Sequence, residues 1–330
     1  MTEKERVLLA LNHQMPDMTP YQLDLTDLVY ARLQEYFSDD DFFYGTGSHL
    51  AQERNESFTK VSDKEFYDMF GVLWSREQEG DFGIVTNQVL KNAETGDYAF
   101  PEPDEILIRE KCERLVKQTD KFTMYIIGFS LFERAWTLRG FNEILMDFLL
   151  EKKFANELLD RIVEYNLKVV DIVSGYDIDC IFFGDDWGQQ KGLIMGPPVW
   201  HEFIRPRLKT QYDHVKSKGM YVAQHACGDI REVFSDLVDL GLDIYNTFQP
   251  EIFDVAFMKR EYGNSVTFYG GVSTQRLLPF ETPDIVQKEI RHIMDVVGKD
   301  GGYICAPTHA IPNDVPTENI IAFLDAVQNQ

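Results

Sequence analysis

From residue 120 onward the chain alternates short apolar runs with longer stretches of helical periodicity. The runs at 122–130 (FTMYIIGFS), 177–186 (DIDCIFFGDD), 220–229, 242–250, 265–272 and 301–307 read as strands. The segments 141–174, 199–219, 230–241 and 283–298 repeat apolar residues at helical spacing, and a last helix closes the chain at 315–328. Helix 199–219 is expected to end at Gly219, the residue type favoured just past a helix terminus. Upstream, 3–12 reads as a short amphipathic helix with Val7, Leu8 and Leu11 on one face, 20–25 as the first strand, and Asp27 as the N-cap of the next helix. Segment 62–119 is aromatic and alternating, and predicts short strands. Strands alternating with helices over short connections imply a parallel sheet joined by crossover helices. Periodicity alone leaves a closed barrel and an open doubly wound sheet both standing. No GxGxxG follows the first strand, which speaks against dinucleotide binding.

Polar residues gather just after the strands: Asp185-Asp186, His225 and Cys227, Asn246, Gln275 and His309. In a barrel that end carries the chemistry. His225 and Cys227 are two apart at a strand end, so both side chains point the same way and can reach one metal. Zinc accepts both donors and needs a third protein ligand plus an open position. His309 is a candidate third ligand or a general acid/base, with Cys305 as the rival ligand or else a small buried hydrophobe. Asp185 and Asp186 point to opposite faces; they read either as acids that orient substrate or handle protons, or as helix caps. Glu133 is a candidate extra ligand or the partner of Arg134. Arg205 and Arg207 are expected at the surface, and His13, His49, His201, His214 and His292 are given no role.

The 32 basic and 55 acidic residues give a net charge of −23. So acidic a chain repels nucleic acid and anionic membranes, and a polyanionic substrate would need a local arginine pocket. The four cysteines, Cys112, Cys180, Cys227 and Cys305, are too irregularly spaced for a disulfide framework. With no apolar stretch of about 18 residues, the length a membrane span takes, and no apolar signal core, a cytoplasmic protein is expected. No linker or repeat interrupts 1–330, so a single domain is expected. The aromatic-rich stretch 62–100 is a candidate homodimer surface.

Several motifs together resemble the uroporphyrinogen decarboxylase-like superfamily: Glu5–Leu11 followed by Pro16-Asp17, Phe70–Trp74, Gly184–Gln189, His225–Gly228, Tyr269–Gln275, Gly301–Ile304, Pro307–Ile311 and Asp314–Pro316. The resemblance runs from about Glu5 to Ala326 and implies a (βα)8 TIM barrel, with 62–119 elaborating the connection between its first two strands. Decarboxylases of the superfamily bind an anionic tetrapyrrole through arginines after the first strand. Here that stretch, Tyr21–Asp27, carries acids instead. The His-x-Cys pair is similar to the corrinoid methyltransferase branch, which implies zinc held by His225, Cys227 and a last-loop residue, here His309. It also implies a separate corrinoid protein as partner, and a small thiol, methoxy or methylamine-type substrate. Asp186, His309 and Glu133 would act in catalysis, and Asp185, Gln189, Gln275 and Asn246 would contact substrate. The alternative is a metal-free decarboxylase of a small or tetrapyrrole carboxylic acid.

Overall fold

The computed structural model describes residues 1–38, 46–76 and 83–330. The chain divides into two compact units, each discontinuous in sequence. A terminal unit comprises Met1–Ala51, Gln118–Thr123 and Leu242–Gln330; a central unit comprises Gln52–Lys117 and Met124–Gly241.

The terminal unit begins with α1 (Glu3–Leu11), started by a reciprocal capping box between Thr2 and Glu5 and burying Val7 and Ala10. The strand expected at 20–25 is reduced to two isolated parallel bridges, Tyr21 to Cys305 and Leu25 to Ile311. The cause is local: between the bridges the Leu23 N–H donates to Ser48 Oγ at 3.2 Å instead of to a ladder carbonyl. Helix α2 (Asp27–Phe37) starts at Asp27 itself, with Thr26 in the cap position. Asp27 therefore acts as a first-turn acid at the positive helix end rather than as the cap. Strand β1 (Leu50–Arg54) follows.

In the central unit, β2 (Phe58–Lys60), β3 (Glu65–Asp68), β4 (Leu73–Ser75) and β5 (Ile84–Val85) form an antiparallel sheet. These are the short strands expected of the 62–119 segment, although its residues 77–82 lie outside the described residues. The same segment also holds α3 (Glu105–Leu115), capped by Asp104, whose carboxylate accepts the Leu107 N–H at 3.1 Å. Strand β6 (Phe122–Ile127) leads through α4 (Phe132–Arg139), α5 (Phe141–Leu150) and α6 (Lys152–Val173) to β7 (Cys180–Gly184). Helix α6 buries eleven residues, from Phe154 to Val173, at three- and four-residue spacing. A π-helical turn (Trp200–Ile204) precedes α7 (Arg205–Ser217), and Gly219 ends that helix at φ +78°, where glycine alone is unstrained. Strand β10 (Tyr221–His225) comes after the small hairpin β8 (Gly188–Gln189) and β9 (Gly192–Leu193), and α8 (Phe234–Asp239) follows β10. Strands β6, β7 and β10 are parallel, with Ile127 opposite Phe183 and Gly184 opposite His225. Their carboxyl ends therefore stand level.

The rest of the terminal unit repeats the pattern: β11 (Ile244–Asn246), α9 (Val255–Tyr262), β12 (Thr267–Val272), α10 (Leu277–Phe280), α11 (Pro283–Val297), β13 (Tyr303–Pro307) and α12 (Thr317–Gln328). Strands β11, β12 and β13 are parallel neighbours, buried along their whole length, as strands of helix-covered parallel sheets are. The expected alternation of parallel strands and crossover helices is borne out. Among the described residues no helix is long and apolar enough to cross a membrane.

Candidate active site

In the central unit the level ends of β6, β7 and β10 place three loops side by side. Two of them lie against each other backbone to backbone. The Asp185 N–H donates to the His225 carbonyl at 3.0 Å, the Gly188 N–H to the Cys227 carbonyl at 3.1 Å, and the Asp229 N–H to the Gln189 carbonyl at 2.8 Å. Such an approach requires glycine on both sides: a Cβ on Gly188 would lie 2.5 Å from the Gly228 carbonyl carbon, and one on Gly228 2.4 Å from that of Gly188. Gly228 is also at φ +80°.

The zipped loops set the side chains. Cys227 Sγ lies 3.4 Å from His225 Nε2, as the same-face spacing predicts. Asp186 Oδ1 accepts the Cys227 N–H at 2.7 Å and lies 3.6 Å from His225 Nε2. Its neighbour Asp185 points the other way and is fully buried. Its carboxylate accepts the N–H groups of Leu131 (3.2 Å), Phe132 (3.0 Å) and Glu133 (2.7 Å), and the Trp187 indole N–H. Leu131 occupies the cap position of α4 and has no capping side chain, so Asp185 caps that helix from another strand. Of its two sequence readings, the helix cap is the one this geometry favours.

Burial, reinforced by the Asp186 and Asp185 charges, pushes the Glu133 carboxyl well above its ordinary range. Burial lifts Asp185 to about 6 against its donors, and burial with Asp186 pushes the Cys227 thiol up. The expected Glu133–Arg134 pair is not what forms. Arg134 turns to Asp68, 2.5 Å away in a buried pair, with its guanidinium over the rings of Phe70 and Phe129. The reason is competition: Asp68 already gathers the N–H groups of Phe70 and Val72 and the Trp74 indole, a fixed anionic pocket for the arginine. Gln189 is exposed on the β8–β9 hairpin. Arg205 bonds Asp236 at 2.7 Å; Arg207, expected at the surface, is buried and reaches Asp160 at 2.6 Å.

In the terminal unit, His309 is exposed two residues past the end of β13. Its loop is anchored by the buried Thr308, which bonds Thr274 at 3.0 Å. Cys305 is fully buried within β13, and burial pushes its thiol up to about 12, the environment of a small buried hydrophobe. Asn246 is buried and donates to the Tyr269 carbonyl at 3.0 Å. Gln275 is exposed, its N–H donating to Ser273 Oγ at 3.3 Å. A pair the sequence reading did not foresee is Tyr269, whose hydroxyl donates to Asp24 Oδ2 at 2.6 Å. The available signal was the presence of acids, Asp24 and Asp27, in the stretch Tyr21–Asp27 where the resemblance leads one to expect arginines.

The donor chemistry of the central cluster suits zinc. Bond lengths of about 2.3 Å to sulfur and about 2.0–2.1 Å to nitrogen, at a tetrahedral angle, put the two ligand atoms about 3.6 Å apart. The observed 3.4 Å separation of Cys227 Sγ and His225 Nε2 meets that spacing. The Asp186 carboxylate and the Cys227 thiol beside one imidazole are also an electrostatic arrangement that a cation would relieve.

Comparison with known proteins places the chain. The family model for uroporphyrinogen decarboxylase (URO-D) matches residues 76–330. The chain belongs to the URO-D family. Among curated relatives of the family, a uroporphyrinogen decarboxylase of Psychromonas ingrahamii is 22% identical over 269 residues, covering 76% of this chain and 72% of the relative. One of Legionella pneumophila (strain Corby) is 23% identical over 274 residues, covering 76% and 71%. Among solved structures, a methyltransferase from Methanosarcina mazei superposes with a TM-score of 0.75 at 16% identity, covering 100% of this chain and 99% of that one. This family member therefore shares that structure's fold over its whole length.

Proposed function

We propose that this URO-D family protein is a zinc-dependent methyltransferase, moving a methyl group between a small thiol, methoxy or methylamine-type substrate and a corrinoid carried by a partner protein. The observation that carries the reading is the His225–Cys227 pair, 3.4 Å apart and surrounded by acids. Zinc would be held by His225, Cys227 and His309, with Glu133 as a displaceable fourth ligand, and would supply Lewis acidity at the substrate heteroatom. The role of His309 rests on the family resemblance and on its place just past the end of β13.

The chain's own residues have the following tasks in this reading. Cys227 and His225 are fixed by the loop zipper, and Asp186 holds the Cys227 backbone while facing the imidazole. The Glu133 carboxyl, raised by burial and the neighbouring acids, would be suited, once displaced from the metal, to exchange a proton with the substrate heteroatom at its carboxyl oxygen. Gln275, Gln189, Asn246 and Asp185 were the polar groups assigned to substrate. Of these, Gln275 and Gln189 have exposed side chains suited to it.

The test is metal analysis of protein purified without chelator, alongside Cys227→Ser. Stoichiometric zinc in the parent and its loss in the variant are expected, together with loss of methyl transfer from methylcobalamin to thiols. Absence of zinc from both proteins after reconstitution would reject the reading. A second reading, metal-free decarboxylation, draws on the family and on the names of its relatives. It predicts a dispensable Cys227 and essential Asp186 and His309.

A further inference from the structure

We infer that Asp185 is a positioning residue, whose task is to hold Glu133 in place. The inference rests on the zinc-site reading for what Glu133 does, but not for how it is held. Three observations carry it. Asp185 is fully buried, so it offers no face to a substrate. Its carboxylate gathers three successive backbone N–H groups at the start of α4, the shortest bond, 2.7 Å, being to Glu133 itself. No local side chain caps that helix: Leu131 at the cap position has φ −155° and ψ −89°.

A helix whose first N–H groups are capped by a carboxylate from a neighbouring strand end depends on that carboxylate for its starting point. The first-turn residue Glu133 is fixed with it. The adjacent residue, Asp186, holds the Cys227 N–H at 2.7 Å. One dipeptide therefore sets the distance between the Glu133-bearing helix and the His225–Cys227 loop. An Arg134–Asp68 pair one residue further along α4 ties the same turn to the end of β3. Trp187, which donates its indole N–H to Asp185 and packs against Trp200 at 5.7 Å, is a built-in optical reporter of the brace.

The test uses the full chain with Asp185→Asn, which keeps the shape but replaces one acceptor oxygen with a donor, together with Glu133→Gln and the double variant. Amide hydrogen exchange and tryptophan emission are read first, without metal. In Asp185→Asn, protection is expected to fall at Leu131, Phe132 and Glu133, with a change in tryptophan emission, while amides of β7 and β10 stay protected. Zinc affinity by chelator competition and the visible spectrum of the cobalt-substituted protein are read next. Asp185→Asn is expected to weaken zinc about 10–100-fold, the usual cost of losing an outer-sphere support, and Glu133→Gln, which removes the displaceable ligand itself, at least as much. The double variant should be no weaker than the worse single one, because Asp185 acts through Glu133. Unchanged exchange at residues 131–133, or additive losses in the double variant, would overturn the assignment. If the parent chain binds no zinc, the functional reading fails, and the exchange data alone decide the positioning role. Glu133→Gln with native exchange and Asp185→Asn with lost protection then still separate the two residues.

Discussion

At the level of single residues, the polar groups that matter most are those with nowhere else to go. The Arg134–Asp68 pair is 7% and 5% exposed in its side chains, and both partners have shed their water. Removing one partner strands the other, which typically costs about 3–5 kcal/mol. Asp68→Asn is therefore expected to lower stability by about 3 kcal/mol in urea unfolding. A double replacement of both residues by apolar ones of similar size should recover much of that loss. His49 makes a different point. It is 1% exposed, its Nδ1 accepts the Tyr21 N–H at 3.4 Å, and its Nε2 has no hydrogen-bond partner among the described residues. Burial pushes its pKa down to about 4. In the unfolded chain the value is about 6.5, so between these limits the unfolded state binds the extra proton. His49 therefore contributes stability that is complete above about pH 6.5 and is lost as pH falls through 4, about 3 kcal/mol at most. Unfolding midpoints between pH 7 and 5 should drop more steeply for the parent than for His49→Gln. Equal slopes would show that the imidazole is not the group responsible.

Among the structural elements, the decisive contact is the glycine-to-glycine approach of the loops after β7 and β10. Gly188→Ala would drive a methyl group to 2.5 Å from backbone that cannot move aside cheaply. The loops should separate, the Asp186–Cys227 bond should lengthen, and, on the proposed zinc reading, zinc retention should fall at least tenfold, while α6 and β13 keep their exchange protection. Retention of parental zinc affinity in Gly188→Ala would mean the loops are held by something other than this contact. These loops also show how far a sequence can be read. Strands β7, β10, β12 and β13 and the helices between them were legible because burial on both sides demands near-continuous apolar runs. The His225–Cys227 pairing was legible because strand geometry repeats every two residues. The direction of Arg134 was not, since its choice of Asp68 over its neighbour Glu133 depends on a long-range pocket built by β3 and β4. Nor was the role of Asp185: the first of two aspartates at a strand end looks the same whether it faces substrate or caps a distant helix. The first strand failed for a third reason. It pairs in parallel at Tyr21 and at Leu25, but Ser48 intercepts the amide that would have completed its ladder. Helix α4 was missed because its cap lies 54 residues away from Leu131, beyond any local capping signal.

On the scale of the whole molecule, charge discriminates between the two proposed chemistries. The net charge is −23, and many of the arginines are already committed to acids of the same chain: Arg6 to Asp17, Arg114 to Glu53, Arg139 to Asp147 and Arg231 to Asp229. A tetrapyrrole with many carboxylates would approach a repelling field and then need bidentate donors to replace its water. The stretch Tyr21–Asp27, where the resemblance leads one to expect arginines, holds Asp24 and Asp27 instead, the Asp24 carboxylate already accepting from the Tyr269 hydroxyl. Placing a carboxylate against that one costs several kcal/mol in a partly buried setting. The chain is therefore expected not to decarboxylate uroporphyrinogen, even at millimolar substrate and raised ionic strength, where screening shortens the reach of the field to a few ångströms. Porphyrin products would be followed chromatographically after oxidation, with a genuine decarboxylase as the positive control. Turnover that appears only at high salt would assign the barrier to the global charge. Turnover absent at every salt concentration would assign it to the local loss of donors around Asp24. Turnover comparable to the control at low salt would restore decarboxylation as the function, because neither the field nor the missing arginines would then be an obstacle.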